Sequence, residues 1–195
     1  MSQTKSILLV GVGGQGTILA SKLLTLGLLD KGYDVKMSEI HGMSQRGGAV
    51  SSQVRYAQPP ATVASPVIEP GAADILVSFE LMEALRWLNY LRPGGRLVVN
   101  DYRIPPMPVV SGQAQYPETV LEELRRAAPV VAVDAAGIAE DLGNARAMNM
   151  VLLGCTVKIM DLTDIDWQRI IRENVKPAFA GLNYQALEAG MKAVE

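Results

Sequence analysis

A single cysteine, Cys155, and a single histidine, His41, are all the thiol and imidazole ligands that the 195 residues supply. An iron–sulfur cluster takes about four thiolates and a structural zinc four Cys or His ligands, so this chain holds neither by itself. One cysteine cannot close an internal disulfide either, which fits a reducing compartment and a cytoplasmic protein. Basic tracts are also missing. With 18 Lys and Arg against 20 Asp and Glu the net charge is −2, and no run of cations gives nucleic acid or an acidic membrane an electrostatic footing. No apolar run reaches the roughly 20 residues of a membrane span, and the short polar start lacks the build of a signal peptide. Neither a nucleic-acid nor a membrane partner is expected.

What is present is a chain 49% hydrophobic and 19% charged, enough for one well-buried core, so residues 1–195 are expected to form one domain. Residues 6–10 (SILLV) form a short apolar run ending at glycine, as in a buried parallel strand. From residue 15 to 31, Ile18, Leu19, Leu23, Leu26 and Leu29 recur at helical spacing, with Gly32 placed to close the last turn. A strand over 34–39 completes a βαβ pattern. Further strands are predicted at 49–57, 74–79, 96–100 and 130–134. Helices are predicted on Leu81, Leu85 and Leu88, from Pro117 to Ala128, over 146–160, from a Thr163/Asp166 capping box to Glu173, and over 177–194. Two proline-rich stretches, 58–71 and 102–117, read as loops, and residues 92–95 as a helix stop. Strands alternating with helices, then a helical tail, predict a Rossmann-like, doubly wound α/β fold: a mostly parallel sheet with a C-terminal helical cap.

Gly11, Gly13 and Gly16 match G-x-G-x-x-G between a strand and a helix, and Glu39 lies where a ribose-binding acid would be. The alternative to a free-standing NAD(P)- or FAD-binding oxidoreductase is close strand–helix packing, which explains the same glycines without a ligand. Gly14 and Gln15 thicken the loop ahead of Thr17 and suit a backbone approached by another surface or by a phosphate. A second stretch, "LRPGGRLVVND", resembles the strand-entry turn of methyltransferases, but Leu9 stands where their loop carries an acid. The polar segment "HGMSQRGGAV" places Ser44, Gln45 and Arg46 before Gly47 and Gly48, beside the carboxyl end of the second strand. Arg46 has the fork geometry to grip a phosphate or carboxylate, or it pairs with a surface acid. His41 has no evident nucleophile to serve, Cys155 reads as a small buried hydrophobe, and no catalytic or metal-binding residue is expected.

The two stretches together, Gly-x-Gly-Gly-Gln-Gly (11–16) and Ser-Gln-Arg-Gly-Gly (44–48), resemble the gamma-type subunits of 2-oxoacid:ferredoxin oxidoreductases, above all the small subunit of the indolepyruvate branch. "NMVLLG" (149–154) and "NYQALEAG" (183–190) are similar to that family's tail. The resemblance implies a hetero-oligomer. A large alpha-type partner would carry thiamine diphosphate, Mg²⁺ and 4Fe–4S clusters; the oxoacid loses CO₂, electrons pass to ferredoxin, and the acyl group goes to coenzyme A. This chain would support assembly and the substrate and coenzyme A approach through residues 11–17 and 44–48. It would be inactive alone.

Overall fold

The computed structural model describes residues 4–41 and 47–194, so Ser44, Gln45 and Arg46 lie outside the described residues. Six strands, β1 (Thr4–Val12), β2 (Asp34–His41), β3 (Ala49–Ala57), β4 (Ala73–Ser78), β5 (Leu91–Asn100) and β6 (Val130–Val133), form one sheet in the order β2-β3-β1-β4-β5-β6. The eight α-helices among the described residues are α1 (Thr17–Asp30), α2 (Leu81–Trp87), α3 (Met107–Val110), α4 (Val120–Ala127), α5 (Ala135–Asp141), α6 (Met148–Ile159), α7 (Trp167–Asn174) and α8 (Pro177–Lys192), with 3₁₀ turns at Leu88–Tyr90 and Ala145–Ala147. None is long and apolar enough to cross a membrane.

β1 shows why the sheet is covered twice. Its Ile7 and Leu9 enter one core with α1 and α5 to α8, while Leu8 and Val10 enter another with α2 and α4. A strand buried on both faces loses polar alternation, hence the unbroken run ILLV. The helical tail joins the α1 side, as a cap on that face.

β1, β4, β5 and β6 run parallel, but β3 is antiparallel to both β1 and β2 and sits between them. The expected βαβ unit is therefore wedged open. Polarity decides which strand goes inside: β3 buries Val50, Val54 and Tyr56, whereas β2 carries Asp34, Lys36, Ser38 and Glu39 and takes the edge, where charge also discourages stray pairing.

Smaller departures have local causes. α5 was not expected, because its buried residues, Ala135 and Ala139, are too small to register as an apolar stripe; Asp134 starts it by accepting from Gly137 N at 2.8 Å. α7 is capped by Asp166 itself, which accepts from Arg169 N at 3.0 Å, and Thr163 is not its cap. Residues 92–95 belong to β5, across a register shift between Ala73 and Ile75. α4 begins at Val120, and α3 occupies part of the stretch read as loop. The closest packing is between α6 and α8, where a Cβ on Gly154 would strike Leu187 O and one on Gly190 would strike Val151 O.

Candidate functional site

Open α/β sheets take ligands outside the carboxyl ends of their strands, where neighbouring crossovers leave for opposite faces. Here that place lies between β1 and β4, since α1 and α2 pack on opposite faces. It is filled from within. Gln15, only 6% exposed, accepts from Val12 N through Oε1 at 2.7 Å and donates from Nε2 to Phe79 O at 2.8 Å. Asn100 donates to the same carbonyl at 3.3 Å and accepts from Ala135 N at 3.0 Å. One amide thus stitches the ends of β1 and β4, and another ties in β5 and α5. Gly11 must be bare because a Cβ there would lie 2.9 Å from both Gln15 Oε1 and Phe79 Cβ.

Gly16 has a second reason to be glycine. Its φ of +83° is the left-handed region, and its carbonyl accepts from Asn149 Nδ2 at 3.3 Å, against which a Cβ would collide. As the first residue before α1 it offers no side-chain cap, and no acid follows in the first turn. Thr17 is buried, and its Oγ1 has no hydrogen-bond partner. The free N–H groups and positive end of a 14-residue helix thus face an open cleft of about 460 Å³, lined by Val12, Gly13, Gly14, Ile18 and His41. His41, exposed and paired in register with Val50, stands at its rim.

The two stretches singled out in the sequence meet. Gly13 N donates to Gly48 O at 2.8 Å, and Gly47 N to Gly13 O at 3.5 Å, extending the β1–β3 ladder into the glycine turn. Val12, Gly13, Gly14 and Gly16 therefore lie beside Gly47 and Gly48 at the carboxyl edge, with Gly11, Gln15 and Thr17 buried behind them.

On the far side of β4, Glu80 is 1% exposed yet fully engaged: it accepts from Glu83 N at 2.9 Å, from Ile104 N at 3.2 Å and from the Tyr116 hydroxyl at 2.5 Å. Burial, then the bond to Glu80, hold the Tyr116 hydroxyl above its ordinary pKa. This carboxylate caps α2 and ties down the excursion after β5. Sequence reasoning passed over Glu80, Asn100 and Asn149; the signal available was a polar residue ending or interrupting an apolar run.

Other sequence candidates are spent elsewhere. Glu39 accepts from Ser21 Oγ at 2.9 Å, with β3 between its strand and β1, so it does not stand beside the glycine turn as a ribose acid would. Leu9 is core. Cys155 donates to Gly190 O at 3.2 Å, and burial pushes its thiol up to about 12, as expected of an inert hydrophobe. Among the described residues no three His, Cys, Asp or Glu side chains gather as a metal site.

Residues 6–193 match the family described as pyruvate ferredoxin/flavodoxin oxidoreductase. The indolepyruvate oxidoreductase subunit IorB of Thermococcus kodakarensis is 37% identical, over 97% of this chain and 96% of that protein. Among solved structures, the gamma subunit of a keto/oxoacid ferredoxin oxidoreductase from Geobacter sulfurreducens superposes with a TM-score of 0.69 at 22% identity, covering 97% of this chain and 98% of that one. A 2-oxoglutarate:ferredoxin oxidoreductase from Magnetococcus marinus, with 2-oxoglutarate, coenzyme A and succinyl-CoA bound, reaches a TM-score of 0.76 at 15% identity, covering 100% of this chain and 31% of that chain. The fold and the match along nearly the whole sequence agree, and the chain belongs to the pyruvate ferredoxin/flavodoxin oxidoreductase family, as a small oxidoreductase subunit of gamma type.

Proposed function

We propose that this chain serves a thiamine-diphosphate-dependent indolepyruvate or other arylpyruvate:ferredoxin oxidoreductase, and that its surface at residues 11–17 and 44–48 borders the path of coenzyme A into a larger subunit. The observation that carries the reading is the uncapped N-terminus of α1, with the unpartnered Thr17 hydroxyl, opening beside the joined glycine segments. Such an arrangement favours a phosphate, and coenzyme A brings several. The relative in complex with coenzyme A and the 37% identical indolepyruvate subunit support the same assignment. With one cysteine, the residues here do not fit an iron–sulfur cluster; in this reading the 4Fe–4S centres, thiamine diphosphate and Mg²⁺ belong to the alpha-type partner, which passes electrons to ferredoxin, as the family resemblance implies. A resident NAD(P) or FAD is disfavoured, because Gln15 occupies the crevice between β1 and β4 and Glu39 is engaged by Ser21.

In this reading the chain's residues bind and orient. Helix and loop N–H groups hold phosphate, Arg46 adds a forked cation, and the filled crevice keeps the turn rigid. Co-expression with the large cysteine-rich chain tests it: Arg46→Ala should leave assembly intact and raise the KM for coenzyme A about tenfold, the worth of one charge-assisted contact. Unchanged kinetics in the assembled complex would remove the proposal.

A further inference from the structure

A second cleft lies on the helical side, where the turn Ala145–Ala147 and α6 meet the junction of α7 and α8. Its volume of about 380 Å³ suits a small organic molecule. Leu19, Val175, Leu182 and Phe179 make its walls apolar, and Phe179 is left 46% exposed. Arg146 and Lys176 stand beside them, both exposed, and neither side chain has a partner among the described residues. No acid lines the cleft to neutralise them. Asn149 lines it as well; this side chain is buried, Nδ2 is committed to Gly16 O, and Oδ1 lacks a donor.

We infer that this cleft binds a small carboxylate with a flat apolar body: the carboxylate between Arg146 and Lys176, and the body against Phe179 and Val175. Two unpaired cations with no competing acid favour an anion, and the apolar walls favour one that carries an organic body. The ligand would also be felt at the glycine turn, because Asn149, which lines the cleft, holds Gly16. The inference stands on the cleft alone and does not depend on the coenzyme A reading.

Phenylacetate titrated into the full chain, followed by ligand-observed NMR, is the test. Saturable binding in the millimolar range is expected, about tenfold tighter than for benzyl alcohol, which keeps the ring and loses the charge. The double variant Arg146→Ala/Lys176→Ala should weaken phenylacetate about tenfold without changing the melting temperature, since both side chains are exposed and unpaired. Phe179→Ala should weaken both probes. No saturation by about 20 mM, a range that covers the weakest plausible fit for so few atoms, overturns the inference. So does equal binding of acid and alcohol, or a double variant that binds as the parent does.

Discussion

Gln15→Leu tests whether the glycine turn is held by its own amide. The substitution keeps a similar volume but removes the acceptor of Val12 N and one of the two donors to Phe79 O, the other being Asn100. Stranding a partly buried N–H costs about 1–2 kcal/mol and losing the second bond about 1, so the variant should be less stable by about 2–3 kcal/mol. In a chain of 195 residues each kcal/mol moves Tm by about 2–4 °C, giving a fall of roughly 4–12 °C by calorimetry or circular dichroism. Gln15→Glu adds a check on sign. It keeps an oxygen for Val12 N but turns a carboxylate toward Phe79 O unless protonated, so burial raises its pKa in the folded state above the unfolded value of about 4.3. The folded form then binds the extra proton, so Glu at 15 should cost least below that value and progressively more as pH rises through the folded pKa. A Gln15→Leu protein melting within about 1 °C of the parent would refute the account, and would mean that the amide does not brace the crevice.

Two substitutions in α8 should move in opposite directions. Gly181→Ala, with open space around its Cβ, should stabilise by about 0.5–1 kcal/mol from helix propensity, whereas Gly190→Ala, driven into Val151 O, should lose at least about 2 kcal/mol; paired melts read both. Cys155, raised to about 12 and buried, should resist a thiol reagent at pH 8 in the native chain and react once it is unfolded in guanidinium. Tyr116→Phe removes one of three donors to the buried Glu80 and should cost about 1–2 kcal/mol in urea unfolding.

Apolar runs made the architecture legible. ILLV, the alternation at 49–57 and the long apolar stretch from Met148 correctly marked a sheet with a helical cap, because each buries enough to dominate its local pattern. Strand order was not legible: whether β3 pairs beside β1 or outside β2 depends on comparing burial across strands far apart, and the βαβ rhythm says nothing of it. At the site, glycines that are needed for clearance look like glycines that bind phosphate. Only the structure shows that Gly11 clears Gln15 and Gly16 clears Asn149, while Gly14 faces open space. Glu80 and Asn100 were invisible for a related reason, since a polar residue at or just past the end of a strand reads as surface until its partners, 24 and 35 residues away at Ile104 and Ala135, are folded onto it.

The placement of β3 has an evolutionary corollary. Its register fastens His41 to Val50, and Gly48 O accepts from Gly13 N, so the described residues on both flanks of 42–46 are anchored to the sheet. Lengthening such a bridge is thermodynamically cheap, about 0.6 kcal/mol for each doubling. A change of length between those anchors therefore leaves the β1–β3–β2 ladder beneath it in place, much as interchangeable bits fit one chuck.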